Sequence, residues 1–274
     1  MSVGINTNNE ALSAVRQLSK TSGMVSEAMG RLSSGKRVNT AADDAAGLAI
    51  ISNLDRQITG TQQAIRNSNE GISLVEVMDS ALEEVNSLYQ RARQLAVYSA
   101  NETLSATDRD SLNAEYQQIV GAGGEAERIL TKSSFNGVTL LDGSAIDLQV
   151  GWEAGDVTTV TGVDFSGTTA TIGAIDGADA TNATAELAVL DTAIDSVVSF
   201  RADLGAYQNR FESTISNLES LSEKTQVAKG RIQDADFATE STNLARAQVL
   251  QQAGMGMLSR ANSSAQQVMQ LLQQ

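Results

Sequence analysis

Cysteine, histidine and proline are all missing from this chain of 274 residues. Without cysteine there is no disulfide, no thiolate nucleophile and no sulfur-based metal site, so the redox compartment leaves no mark on the sequence. Without histidine there is no Ser-His-Asp triad, no imidazole base and no HExxH zinc site. Carboxylates, lysines and tyrosines are left, and they do not assemble a site on paper. Neighbouring pairs such as Asp43-Asp44 and Glu83-Glu84 would point about 100° apart on a helix and suit caps or solvated faces. Gly151 to Gly155 is followed by no Lys-Ser/Thr, so it is not a phosphate loop. The expectation is a non-enzymatic chain with no catalytic residues, no cofactor and no bound metal.

Average usage would supply roughly 14 prolines. A proline costs a helix interior about 3 kcal/mol, so its absence leaves long helices unpunctuated. Aromatic residues are also scarce, at 4% of the chain. No run approaches the roughly 20 apolar residues that a membrane span requires, and Met-Ser-Val-Gly-Ile-Asn is no basic leader segment. Membrane insertion is therefore not expected, and export would use a route without a cleaved signal peptide.

The formal charge of −14 is unevenly spread. Residues 133 to 200 hold ten acids and no Lys or Arg, whereas residues 1 to 40 hold five bases against two acids. Residues 241 to 274 add Arg246 and Arg260 against no acid. An acidic balance offers no basic face for nucleic acid. The acidic middle suits a solvated exterior that keeps a helical chain soluble.

Both ends carry a seam. Ala11, Val15, Leu18, Ser22, Val25, Met29 and Leu32 step by alternating fours and threes. Leu244, Ala247, Leu250, Gly254, Met257, Ala261, Ser264, Val268 and Leu271 step by threes and fours almost without a fault. Sustained 3-4 spacing keeps one stripe of a helix facing a partner helix, so each end is predicted to be a coiled-coil strand. Between them, Thr40 with Asp43 resembles a capping box that restarts a helix. Val75, Met78, Leu82, Val85, Tyr89, Ala92, Ala96 and Ser99 then give a long helix expected over about 57 to 100. Ser105, Thr107, Asp108 and Asp110 are cap candidates for a third helix, weakened by Gly121, Gly123 and Gly124.

Asn136-Gly137 is a turn signal, followed by β-prone pieces at 138–141, 147–151 and 157–163. Residues 164 to 185 carry little apolar content and are expected to be an exposed loop. Helical period returns with Leu190, Ile194, Val197, Leu204, Phe211, Ile215 and Leu218, and Asp234-Ala235-Asp236-Phe237 breaks it before the last helix. The fold class expected is mainly α: a long antiparallel helical hairpin with paired terminal helices and a small β-hairpin head.

Several of these segments together resemble one family, bacterial flagellin. They are Arg31-Leu32-Ser33-Ser34-Gly35-Lys36-Arg37-Val38-Asn39, Asp43-Asp44-Ala45-Ala46-Gly47, Asn69-Glu70-Gly71-Ile72-Ser73, Phe135-Asn136-Gly137 and Gln149-Val150-Gly151. The second half adds Asn209-Arg210-Phe211, the run Arg231 to Phe237 and the run Ala247 to Gly254. The resemblance covers about 1–151 and 186–272 in order. It departs from the family at the glycines of 121–124.

The resemblance implies a subunit that polymerises into the extracellular flagellar filament used for swimming. In that arrangement 1–40 with 241–274 forms the terminal coiled-coil core. Residues 41–151 with 186–240 form the helical rod with its β-hairpin, and 152–185 is a short variable exposed segment in place of a full outer domain. The seam residues Ala11, Val15, Leu18, Val25, Met29, Leu32, Leu244, Ala247, Leu250, Met257, Ala261, Val268 and Leu271 become assembly contacts. Arg91, Leu95 and Glu115 match the surface recognised by the Toll-like flagellin receptor, a surface that overlaps assembly. The implied partners are further copies of the chain, the flagellar type III export apparatus, an export chaperone, and the filament cap and hook-junction proteins. Two alternatives are a hook-filament junction protein, which shares the terminal helices, and an amphipathic lipid-surface protein. The second would need a Lys/Arg-rich polar face that this chain lacks.

Overall fold

A computed structural model describes residues 7–165, 171–177 and 180–272. The chain divides into two compact units, Met1–Arg56 with Lys224–Gln274 and Gln57–Glu223. Its elements run α1 (Asn9–Ser34), α2 (Ala45–Ser99), α3 (Ala106–Val120), α4 (Glu125–Lys132), β1 (Ser134–Phe135), β2 (Val138–Thr139), β3 (Ala145–Gln149) and β4 (Val157–Thr161). Then follow α5 (Thr181–Gln233) and α6 (Phe237–Leu272). The mainly helical architecture with a small β region is the one that the periodicity predicts.

In the terminal unit α1 pairs with α6 in antiparallel fashion. Asn8 caps α1, its side chain accepting the Ala11 N–H, and Gly35 closes it in the left-handed conformation at φ 69°, where glycine carries no Cβ penalty. The loop after α1 bonds to the end of α5 and to the loop before α6. Arg37 N–H donates to Gln233 O at 2.6 Å and Ala235 N–H to Gly35 O at 3.0 Å, while the Arg37 guanidinium donates to Ile232 O at 2.7 Å. Asp236 caps α6 by accepting the Ala238 N–H at 3.0 Å and the Thr239 hydroxyl at 2.8 Å.

The start of α2 differs from expectation. The carboxylate of Asp43 accepts from the Thr40 N–H at 2.8 Å and hydroxyl at 2.9 Å, but this closes a turn. The cap is Asp44, which accepts the Gly47 N–H at 2.9 Å, so the helix starts at Ala45 and well before the strong apolar stripe. A cap works locally, whereas the stripe records only where burial begins.

In the second unit, Val75, Met78, Leu82, Val85, Tyr89, Ala92, Ala96 and Ser99 are buried, as the stripe predicts. The returning α5 runs antiparallel to α2: Phe211 lies against Gly71, Arg201 pairs with Asp79 at 2.7 Å and Arg93 with Asp191 at 2.6 Å. A capping box of Ser105 and Asp108 opens α3. The glycines of 121–124 break the helical run, and α4 restarts it with Ala126 and Leu130 buried.

Asn136 and Gly137 both adopt positive φ, at 49° and 82°, which joins β1 and β2 by the tight turn that Asn-Gly favours. The longer hairpin of β3 and β4 pairs antiparallel from Ala145↔Thr161 to Gln149↔Val157 and lies along α2. Asn67 donates to Gln149 O at 2.9 Å, and glycines at 60 and 71 leave room for Trp152 and Leu148.

The exposed loop expected over 164–185 is in part core. Phe165, Ile172 and Ile175 are buried, and the rings of Phe165 and Phe200 stand 6.0 Å apart. The Ser99 hydroxyl donates to Ile175 O at 2.6 Å, Ile175 N–H to Asn113 Oδ1 at 3.1 Å, and Gln117 to Gly173 O at 2.8 Å. Three widely spaced apolar residues make no period, so pattern alone misses a segment that is clipped down by directed bonds. Residues 166–170 and 178–179, which the same expectation covers, lie outside the described residues.

Candidate assembly surfaces

The structure divides the predicted terminal seam between two faces of each helix. Ala247 and Ala261 on α6 are buried, and Ala11, Leu18, Val25 and Leu32 on α1 with Leu244 on α6 are partly shielded from solvent. Val15, Met29, Leu250 and Met257 are not: their exposures run from 43% to 59%. The side chains of Val268 and Leu271 lie outside the described residues. Facing α6, the places expected for Val15, Ser22 and Met29 are taken by Ala14, Thr21 and Ala28. On α6, Gln251 and Leu258 turn inward where Leu250 and Met257 are expected.

Close packing explains the choice. A spacing of 11-14-18-21-25-28-32 alternates threes and fours as well as 11-15-18-22-25-29-32 does, so periodicity cannot separate them. The first set puts Ala14, Thr21 and Ala28 on the inward side of α1, and small residues there and at Ala247, Gly254 and Ala261 on α6 let the helix backbones approach. The Leu18 side chain sits where a Cβ on Gly254 would lie 3.6 Å away. The larger apolar residues, Leu12 and Val249 among them, are left on the outside.

One charged pair lies within this small-residue interface. Arg31 donates from Nη1 to Glu240 at 3.1 Å and from Nη2 to Glu27 at 2.6 Å. The Glu240 side chain is only 10% exposed and that of Arg31 27%. Sequence analysis misses Glu240, which precedes the heptads and carries no motif of its own.

Of the second predicted surface, the structure brings Arg91 and Glu115 together. Arg91 donates from Nε and Nη2 to one Glu115 oxygen at 3.1 and 2.7 Å, and both side chains are about half exposed. Leu95 does not join them on the surface. It is 5% exposed and belongs to the core beside Ala92 and Ala96, because it falls on the inward side of the α2 stripe. Arg109, which sequence analysis passes over, is buried and holds the end of α2 by donating to Ser99 O and Asn101 O at 3.0 Å each.

Several carboxylates in the turns and caps are held below the ordinary aspartate value by hydrogen bonds: Asp43 chiefly by Thr40, Asp108 chiefly by the Ser105 hydroxyl, Asp236 chiefly by Thr239. These are helix-terminus roles rather than acid-base chemistry. Among the described residues no helix is long and apolar enough to cross a membrane.

A helix pair closed on one face by small residues and lined on another with large apolar ones defines a coiled-coil subunit built to associate. Residues 5–145 match the bacterial flagellin N-terminal helical region and residues 187–272 the bacterial flagellin C-terminal helical region. The flagellin of Halalkalibacterium halodurans is 43% identical over 272 residues, covering 98% of this chain and 99% of that one. The flagellin of Bacillus subtilis is 36% identical, and the flagellar filament 33 kDa core protein of Treponema phagedenis 37%, each alignment covering 98% of this chain and 99% of the relative. A crystal structure of Bacillus cereus flagellin superposes with a TM-score of 0.51 at 33% identity, over 56% of this chain and 88% of that one. The chain belongs to the bacterial flagellin family, and is a structural subunit of the flagellar filament.

Proposed function

We propose that Val15 and Met29 on α1, with Leu250 and Met257 on α6, are contacts through which one copy packs against its neighbours at the centre of the filament. One observation carries this assignment: large apolar side chains face solvent at heptad spacing on helices whose inner face is already closed. Exposed apolar stripes of that kind need a cover. On this reading 1–40 with 241–274 is the filament core and 41–151 with 186–240 the surrounding rod, while 152–185 supplies a short outer segment only where it is not packed into the rod by Phe165, Ile172 and Ile175. The half-exposed Arg91 and Glu115 then serve as assembly surface and as the candidate surface for a Toll-like flagellin receptor, with Leu95 supporting them from beneath.

The family also supports export through the flagellar type III apparatus, escorted by a chaperone, with growth between hook-junction and cap proteins. The chain's role is structural and not enzymatic. The test is seeded polymerisation of Val15→Ser, Met29→Gln, Leu250→Gln and Met257→Gln. Each should raise the critical concentration while leaving the helicity of the soluble chain unchanged. An unchanged critical concentration in all four would remove these residues from the assembly contact.

A further inference from the structure

The interface between α1 and α6 poses a problem of register. Its inward residues on α1 are Ala, Leu, Thr and Val, and on α6 Leu, Ala, Gln and Gly, repeating at 3-4 spacing. Sliding one helix by a heptad keeps every stripe facing its partner. Leu18 would leave Gly254 and meet Ala247 or Ala261, side chains of nearly the same size. Small and repetitive apolar seams therefore specify register weakly, and coiled coils fix it with a buried polar group instead.

Among the described residues few directional contacts are available to do so. At the far end Asn8 donates to Ala261 O at 2.9 Å. At the hinge end the loop after α1 exchanges main-chain bonds with the end of α5 and the loop before α6, and Arg37 reaches Ile232 O. All of these end on backbone carbonyls, which recur at every residue and so do not distinguish one register from another. Arg31 with Glu240 is different in kind, because it joins two side chains that occur once. After a heptad slip one way Arg31 would face Ala247, which carries no charge, and the other way it would run past Phe237, where α6 starts. Its Nε is buried without a hydrogen-bond partner, so a slipped Arg31 would keep a shielded guanidinium with only Glu27 to neutralise it.

We infer that the Arg31–Glu240 pair is the register pin of the terminal helices. It makes the single alignment in which the inner stripe is closed and the outer stripes of α1 and α6 stand in the relation that neighbouring copies require. The inference concerns pairing within one chain and adds to the assembly proposal without depending on it.

The absence of native cysteine allows a direct test. Three reporters carry Leu18→Cys with Gly254→Cys, with Ala247→Cys or with Ala261→Cys, and the disulfide formed within each chain is quantified after mild oxidation. Each reporter is made in the native background, with Glu240→Gln, with Arg31→Gln, and with the exchange Arg31→Glu plus Glu240→Arg. In the native background the 18–254 link should dominate. Glu240→Gln and Arg31→Gln should lower its preference over the two slipped links by about tenfold or more, since removing one partner strands a shielded charge. The exchange should restore it, a rescue that mere damage to the helices would not give. Unchanged preference in both single variants, failure of the exchange to rescue, or no 18–254 link in any background overturns the inference. Sedimentation after seeding is recorded in parallel. A native-background chain that does not polymerise counts against the assembly proposal alone, and the link ratios are then read on the soluble protein.

Discussion

Two helical glycines make a matched pair of perturbations. In Gly60→Ala the new methyl would lie 2.8 Å from Cβ and 3.4 Å from Cα of Trp152, inside the ordinary contact distance of about 3.5–4.0 Å. One of the atoms it meets is backbone, so the hairpin turn has to move away from α2. In Gly205→Ala on α5 nothing lies within 4 Å. Both substitutions gain about 1 kcal/mol of helix propensity. At Gly205 that gain should stand alone and stabilise the protein. At Gly60 it is opposed by an overpacking cost of about 1–3 kcal/mol, leaving a net change of about 0–2 kcal/mol toward unfolding. Urea unfolding followed by circular dichroism measures the difference. Trp152 is the single tryptophan, so its emission reports independently on whether the hairpin lifts, moving to the red if it does. Equal stabilisation by both variants, with the Trp152 emission unchanged, would refute the account of how the hairpin docks.

Leu95→Ala should destabilise the soluble chain by about 2–5 kcal/mol, and Arg91→Ala by less than about 1 kcal/mol because its ion pair is solvated; equal losses in melting experiments would contradict the burial assigned to Leu95. Acid should weaken the helix caps. Asp108 and Asp236 sit below the ordinary value of 3.8 in the folded chain, so their contribution is complete above that value and lost as pH falls below it. The urea midpoint should decline there, less steeply in Asp108→Asn, and a midpoint indifferent to acid would count against the caps. At the alkaline end, burial pushes Tyr89 from 10.0 up to about 12. A raised folded value means stability that is whole below about pH 10 and lost as pH rises toward 12. Tyr89→Phe should flatten that loss at small cost, since the hydroxyl is buried without a hydrogen-bond partner. A phenolate that forms in the folded chain at the ordinary value would refute it.

What the sequence determined by itself was local. The eight-residue stripe on α2 is buried throughout, Ser105 and Asp108 close a capping box, and Asn136-Gly137 makes its turn. Each follows from a period or from side chains a few residues apart. The family, too, was legible in motifs of the same short range.

Tertiary structure decided the rest. Period places a residue at an angle around its helix without saying which neighbour covers that angle, so the choice of Ala14, Thr21 and Ala28 over Val15, Ser22 and Met29 waited on how closely α6 approaches. Leu95 lies one turn from Arg91 on neighbouring angles of the same helix, and only the packing around α2 buries the leucine while leaving the arginine half exposed. Phe165 and Ile175 are core because Ser99 and Asn113 hold their segment down. Arg31 and Glu240 stand 209 positions apart, and only the antiparallel return of the chain makes them a pair.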